Sequence, residues 1–389
     1  MVWRVAFAML VSSSALMILG AWATGLASNP VLTAALLAGA PAVMIASGHF
    51  SEFRIGLVDV LFGLFVAASL ISTAINGLPP TREAALFALS LLAYPAGRLA
   101  PVGTSFRPFL IVTLLIVGIG TIAVGAALVG QWNDPHGRPI VFGFAHAATV
   151  FLTSLGFLML AVVCLDDFRR PVLSAMAAVP ALVVFAASQV RFTFVVIVGS
   201  LGIAFLVSDH DRRRGIAAVL GLVIASVVIG LAIRPHTSGV FLRYVIPSAG
   251  AAERPQNPVA GECGELDNSI AIRKTLLRQA VQGLPSAGLF GHGLSSAAQA
   301  SCFKTDPHNS VLQAVLEFGW VGGILLVLLV ATALRRLWPV AMKNPEAAFV
   351  LCCLAYVAMI DMAHGHLATE GLLFLFIGYA ARASTLVKP

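Results

Sequence analysis

Long apolar stretches follow one another along almost the whole of this 389-residue chain, and they constrain its fold more than any other feature. A helix needs about 20 mostly apolar residues to cross a bilayer. With 59% hydrophobic and only 11% charged residues, the chain carries more apolar surface than a soluble domain can bury. The sequence therefore predicts an all-α polytopic membrane protein with about 12 transmembrane helices. The apolar stretches run approximately over 5–26, 31–48, 56–75, 83–97, 108–130, 140–164, 172–189, 192–208, 216–233, 310–334, 346–363 and 367–384.

The basic residues predict how this bundle is oriented. If the N-terminus is cytoplasmic, the short inner loops carry fourteen Lys and Arg residues, whereas the short outer loops carry only Arg82, Arg138 and Arg191. Short cytoplasmic loops collect positive charge, so both termini are expected inside and the long loop 234–309 outside. The net charge of +7 is scattered and forms no basic and aromatic patch, so no nucleic-acid partner is expected.

The large outer loop contains one amphipathic helix with a charge on its apolar side. Helical periodicity extends from Ile270 to about Leu284, and Asn268 or Ser269 can cap its start. Arg273 falls in the middle of the apolar arc, where a charge must either snorkel or meet an anion. The predicted arc consists of Ile270, Leu276, Leu277, Ala280, Val281 and Leu284.

The predicted division of the chain is 1–233 (transmembrane helices 1–9), 234–309 (outer loop with catalytic elements) and 310–389 (transmembrane helices 10–12).

The end of this loop predicts a histidine at a helix start. Asp306 suits the N-cap and Pro307 the first helical position, which would put His308 and Asn309 in the first turn. The positive end of the helix dipole favours an anion there and disfavours imidazolium. A neutral His308 could then accept a proton, although a lone histidine at a helix start is also a common capping or core residue.

A polar stripe continues from this point into the tenth apolar stretch. Asn309, Gln313 and Glu317 recur every four residues and so share one face of an otherwise apolar helix. Polar residues within a span usually face the bundle interior or a wet cavity. The stripe is therefore expected to point into the protein.

Two cysteines fall in the polar loop. Cys263 and Cys302 could form a disulfide if the loop faces an oxidising compartment, and two free thiols are the alternative. The other three cysteines lie inside apolar stretches, where they are expected to pack as small hydrophobes.

Three motifs resemble the O-antigen ligase and polysaccharide polymerase superfamily. The run from His308 to Gly322 resembles its His-Asn, Leu-Gln, Glu-x-Gly-x-x-Gly signature. Arg273 followed by Pro285 and the glycines of 288–293 resembles the family's Arg, Pro, Gly-x-Gly stretch, and 188–191 resembles its serine–arginine element. The motifs cover about sixty residues, and the predicted architecture covers the chain.

The resemblance implies a metal-independent glycosyltransferase of the GT-C type that uses no cofactor. Its donor would be an undecaprenyl-pyrophosphate-linked glycan at the periplasmic face of the bacterial inner membrane. The acceptor would be the lipid A core for a ligase, or a second lipid-linked glycan for a polymerase. Arg191 and Arg273 would bind pyrophosphate, and His308 would assist the acceptor hydroxyl or hold the leaving group. The implied substrate-binding residues are Asn309, Gln313, Glu317, Gly291 and Gly293.

Other interpretations remain open. Arg191 could simply anchor a span end, and Arg273 could form a structural salt bridge to Glu262, Glu265 or Asp267. A secondary transporter also fits twelve spans, although the halves show no evident repeat. For a metal, the nearest candidate is the turn that carries Asp361, His364, His366 and Glu370, which could equally be a polar hairpin lining the acceptor path.

Overall fold

Apolar helices make up most of the part of the chain that the structure describes. The computed structural model describes residues 1–25, 32–33, 35–50, 54–132, 139–165, 171–188, 190, 192–234 and 269–385. Within these ranges, the β-type pairing is one isolated bridge between Val141 and Phe144. The α-helices are α1 (Val2–Val11), α2 (Ser13–Thr24), α3 (Ala40–Ala46), α4 (Leu57–Asn76), α5 (Thr81–Arg98), α6 (Arg107–Gly130), α7 (Ala147–Cys164), α8 (Pro171–Ala177), α9 (Val179–Ala187), α10 (Phe192–Val207), α11 (His210–Ile233), α12 (Ser269–Gly283), α13 (Ser296–Ala300), α14 (Ser310–Ala341), α15 (Pro345–His364) and α16 (Gly371–Ala383).

The helical, multi-pass architecture agrees with the prediction, but the number of full-length spans is smaller. Among the described residues, six helices are long and apolar enough to cross a bilayer: α4, α6, α7, α11, α14 and α15. A seventh span results if α1 and α2, which are bent by 76° at Ser12, count as one. The segment Ala35–Ala46 and helices α10 and α16 are apolar but shorter.

Local breaks account for part of this difference. The predicted stretch 172–189 divides into α8 and α9, with Pro180 in the first turn of the second helix. Proline lacks the N–H that would continue the preceding helix. Twelve predicted stretches therefore do not correspond to twelve long helices among the described residues.

Close packing of α5 against α16 brings two of the later site residues together. A Cβ atom on Gly97 would collide with the backbone of α16, and one on Gly378 would collide with the backbone of α5. Small residues at such crossings let apolar helices approach closely. Glu83 in the first turn of α5 and His366 just before α16 therefore lie at the same end of the bundle.

The opposite end of the bundle holds two buried ion pairs. Arg4 donates to Glu346 at 2.8 Å, and its guanidinium carbon lies 3.6 Å from the ring centroid of Phe106. Arg98 donates to Asp59 at 2.9 Å. We call this end, defined by these residues and Tyr379, the termini end. The loop end is defined by Asn76, Glu83, His308, His364 and His366.

The amphipathic helix predicted from Ile270 to about Leu284 is confirmed as α12, but its buried face is narrower than predicted. Leu276 and Ala280 are buried, whereas Leu277 and Val281 are about half exposed. Arg273 lies one helical turn before Leu276 and is partly buried. The arginine therefore lies on the side of α12 that faces the protein.

Candidate functional site

A break inside α14 anchors the loop end. Gly319 has φ 74° and ψ −176°, so the helical path is interrupted there. The loop 288–293 supplies replacement hydrogen bonds: His292 N–H donates to Leu316 O at 3.0 Å, and Trp320 N–H donates to Gly288 O at 3.0 Å. A Cβ on Gly319 would collide with the backbone of this loop, and its positive φ also favours glycine.

The two glycines predicted to bind substrate lie in this loop and pack against the broken helix. A Cβ on Gly291 would collide with the backbone of Glu317. Gly293 N–H donates to the carbonyl oxygen of Glu317 at 2.9 Å, and Asn76 on α4 donates to Gly291 O at 3.2 Å. The structure thus gives both glycines a packing role, and their contact with substrate stays a prediction.

The polar stripe points into the protein. Gln313 and Glu317 are 1% and 0% exposed. The Gln313 amide donates to Asp306 Oδ1 at 3.0 Å and to Glu317 Oε1 at 3.1 Å, and its oxygen accepts from Leu367 N–H at 2.8 Å. Gln313 therefore ties together the loop before α14, the helix itself and the turn before α16.

The start of α14 differs from the prediction. The N-cap is Asn309, whose side chain accepts from Leu312 N–H at 3.0 Å, so Asp306 is not the cap and Pro307 is not the first helical residue. His308 and Asn309 consequently precede the first turn, and His308 has a left-handed backbone with φ 55°. The reason is that Asp306 is occupied by the side chains of Gln313 and His366.

Arg273 and His308 share the loop end. Arg273 Nη2 lies 3.3 Å from His364 Nδ1, and the rings of His364 and Phe192, the first residue of α10, are 5.5 Å apart. The pKa of His308 is lowered, because burial disfavours its charged form and because the positive charges of Arg273 and His366 are close; Asp306 opposes this. The neutral form of His308 is therefore favoured by burial and by neighbouring cations, rather than by the helix dipole that the sequence suggested.

A second histidine at this end, His366, lies beside carboxylates rather than cations, and no local sequence pattern indicates these partners. His366 Nε2 lies 2.8 Å from Asp306 Oδ2 and 3.8 Å from Glu83 Oε2. The hydrogen bond to Asp306 raises the pKa of His366, burial opposes the rise, and the charges of Asp306 and Glu83 add to it. Glu83 was missed because it lies more than 200 residues from Asp306 along the chain.

The four residues considered for a metal have different partners. His364 contacts Arg273, His366 pairs with Asp306, and Asp361 shares a hydrogen bond with Glu370. In the part of the chain that the structure describes, no group of three His, Cys, Asp or Glu side chains is arranged to hold a metal ion.

Other predicted residues lie outside the described ranges. They include Arg191 and Cys263, so the pyrophosphate role of Arg191 stays a prediction. Cys302 is disulfide-bonded, and the Gln279 amide donates to its sulfur at 3.1 Å. Cys164, Cys352 and Cys353 are free and buried. The pairing of Cys302 with Cys263 in particular also stays a prediction.

A pocket of about 220 Å³ lies beside this site, between α12, α13 and the start of α14. Leu276, Leu316 and Pro307 supply apolar surface, and His292 and Ser301 add polar groups. The pocket is smaller than the roughly 300–1,000 Å³ typical of drug-sized ligands. Pro307 is shared between the pocket wall and the loop that carries His308.

The described part of the chain is an all-helical set of apolar spans, and arginine, histidine and carboxylate side chains lie together at one end of it. These features define a multi-pass membrane protein with a polar site. Residues 176–327 match the family described as O-antigen ligase, so the resemblance to that superfamily is confirmed over this region. The matched region contains Arg273, Asp306, His308 and the polar stripe.

Two curated relatives are also similar to part of the chain. Stage V sporulation protein E of Bacillus subtilis (strain 168) is 27% identical over 28% of this chain and 32% of its own length. A probable peptidoglycan glycosyltransferase FtsW of Thiomicrospira cyclica is 29% identical over 26% of this chain and 30% of its own length. The chain thus spans about a third of the length of these relatives. No solved structure matches.

Proposed function

We propose that this protein is a membrane glycosyltransferase that transfers an undecaprenyl-pyrophosphate-linked glycan to the lipid A core. The observation that carries the proposal is the contact of Arg273 with His364, which places it with His308 at the loop end, within the region that matches the O-antigen ligase family. In this proposal the loop end is periplasmic, the membrane is the bacterial inner membrane, and both termini are cytoplasmic.

Arg273 would stabilise the leaving group. Transfer breaks the bond between the sugar C1 and a phosphate oxygen, and the bonding electrons stay on the departing pyrophosphate. A guanidinium offers two parallel N–H donors that match phosphate oxygens. The ring of His364 lies 3.3 Å from Arg273 Nη2 and would help to orient it. Arg191, which directly precedes α10, is proposed as the second phosphate ligand.

His308 would take the proton from the acceptor. As the acceptor oxygen bonds to C1, its hydroxyl proton must leave, and a neutral imidazole can accept it. The lowered pKa of His308 keeps the ring neutral at physiological pH. Because arginine compensates the leaving-group charge, the proposal requires no metal ion or other cofactor.

The test is transfer by the purified protein in lipid vesicles. Undecaprenyl-pyrophosphate-linked glycan and lipid A core are supplied without nucleotide or ion gradient and in the presence of EDTA, and the glycolipid product is detected by mass spectrometry. The wild type is expected to form product, and Arg273→Ala is not. Arg278→Ala, on the exposed side of the same helix, is the matched control. Absence of product with the folded wild type would refute the proposal.

A polymerase is the second candidate, favoured by the similarity to a probable peptidoglycan glycosyltransferase. A polymerase would use a second lipid-linked glycan as acceptor. Supplying the donor glycan alone distinguishes the two activities, because a polymerase would lengthen the lipid-linked chains and a ligase would leave them unchanged. In a deletion strain, core that carries a single repeat would indicate a polymerase, and unmodified core with long lipid-linked chains a ligase.

A further inference from the structure

His366 lies between carboxylates from two separate elements. Its Nε2 is 2.8 Å from Asp306 Oδ2, in the loop before α14, and 3.8 Å from Glu83 Oε2, in the first turn of α5. Asp306 is 6% exposed, and its other oxygen accepts from Gln313. The backbone N–H of His366 donates to Glu370 at 2.7 Å. Its Nδ1 lies 3.3 Å from Thr369 Oγ1, so both ring nitrogens have polar partners.

Asp306 connects this histidine to His308. Asp306 and His308 are separated in sequence only by Pro307, and both lie in the loop that precedes the first residue of α14, Ser310. A proline and a left-handed His308 leave this loop few backbone conformations. The contacts of Asp306 to His366 and Gln313 therefore hold the backbone that carries His308.

The charged groups around the two histidines come from several elements. His308 is close to Arg273 of α12, Asp306 of its own loop and His366. His366 is close to Asp306, to Glu83 of α5 and to Glu317 of α14. Its positive charge opposes protonation of His308, because two cations close together repel each other.

We propose that His366, fixed between Asp306 and Glu83, is a positioning residue of the transfer reaction that holds the His308 loop and places a positive charge near His308. It acts through His308 and does not touch the reacting atoms. The inference rests on the proposed function, in which neutral His308 accepts the acceptor proton. It extends that site to Glu83 and His366, which lie outside the region matched by the O-antigen ligase family.

The pH profile of transfer tests this role. A base must be unprotonated, so kcat/KM falls as pH decreases through the pKa of His308. His366→Gln removes the nearby positive charge and lets the pKa of His308 rise, so the fall begins at a higher pH. We expect kcat/KM to be about three- to tenfold below wild type at pH 6 and close to wild type at pH 8.5.

A charge-retaining variant separates electrostatics from packing. His366→Lys keeps the cation between Asp306 and Glu83, so its profile is expected to follow wild type. His210→Gln, which changes an exposed histidine at the first position of α11, is the matched control and is expected to leave the profile unchanged. Equal shifts in the Gln and Lys variants, or a shift in neither, would overturn the proposal.

Two further outcomes are decisive. If His366→Gln is inactive at every pH while correctly folded, His366 takes part in the chemistry directly and the positioning role is wrong. If His366→Gln does not fold, Glu83→Gln is used instead, because loss of that carboxylate disfavours the protonated form of His366. The pH profile is then expected to shift in the same direction by a smaller amount. A profile without any shift would contradict the proposal. A wild type without transfer at any pH would instead refute the proposed function itself.

Discussion

The two ends of the bundle both bury charged side chains, but they arrange them differently. At the termini end, opposite charges face each other: Arg4, which is 1% exposed, meets Glu346, and Arg98 meets Asp59. At the loop end, His366 pairs with Asp306, but Arg273 contacts a histidine ring, and His308 lies close to both Arg273 and His366. Breaking a closed, buried ion pair destabilises a fold, whereas neighbouring cations at a half-buried site suit an anionic ligand. We therefore expect mutations to affect stability at one end and activity at the other.

The largest expected effect is at the termini end. Arg4→Met leaves Glu346 buried without its cation, and breaking a buried pair in this way costs about 3–5 kcal/mol. We expect a much lower yield of folded protein and a lower unfolding temperature in detergent. The folded fraction should keep its transfer rate per molecule. Wild-type stability in this variant would show that the two ends do not differ as described.

Arg273→Ala should give the reverse result. Loss of a donor aimed at developing charge typically slows a reaction about a hundred- to a thousand-fold. The side chain is only partly buried, so the unfolding temperature should remain close to that of wild type. Parallel measurements of transfer rate and thermal unfolding check both statements. A large loss of stability would mean that Arg273 is structural, like Arg4.

His308→Gln should slow transfer by about a hundredfold, at the lower end of the contribution of a general base. In the wild type, the lowered pKa of His308 means that transfer should persist to a lower pH than an ordinary histidine base allows. Activity should fall only as pH decreases further, when the ring becomes protonated. A wild-type profile that falls with rising pH through neutrality would contradict His308 as the base.

The smallest expected effect concerns two equivalent helix N-caps that lie at opposite ends of the bundle. Asn309 accepts from Leu312 N–H and Asn344 accepts from Ala347 N–H, each at 3.0 Å. Removing such a cap costs about 1 kcal/mol. Asn309→Ala and Asn344→Ala should therefore lower stability equally, and only Asn309→Ala should also slow transfer. Equal transfer rates in Asn309→Ala and Asn344→Ala would contradict the prediction that Asn309 binds substrate.

The sequence predicted the features that depend on local pattern. The apolar stretches 56–75 and 108–130 correspond closely to α4 and α6, and the spacing of Gln313 and Glu317 identified a buried polar face. The helix predicted from Ile270 to about Leu284 also corresponds to α12. These features follow from hydrophobicity and helical periodicity, which neighbouring residues determine.

Features that depend on distant partners could not be predicted in this way. Asp306 has the usual form of an N-cap, but its carboxylate instead binds His366, sixty residues further along the chain, and Asn309 takes the cap. The pairing of His366 with Glu83 depends on the packing of α5 against α16. These tertiary contacts outweighed the local preference of Asp306 for an N-cap position. Their partners are far apart in the chain, so the pattern of neighbouring residues does not reveal them.

The hydrogen bond from Leu367 N–H to the Gln313 side chain has a consequence for biosynthesis. A ribosome makes the chain from its N-terminus, so Gln313 is synthesised before residue 367. Until α15 and the following turn emerge, the buried amide lacks its final donor. The first half of α14 therefore reaches its mature surroundings only after residue 367 has been made and has folded against it.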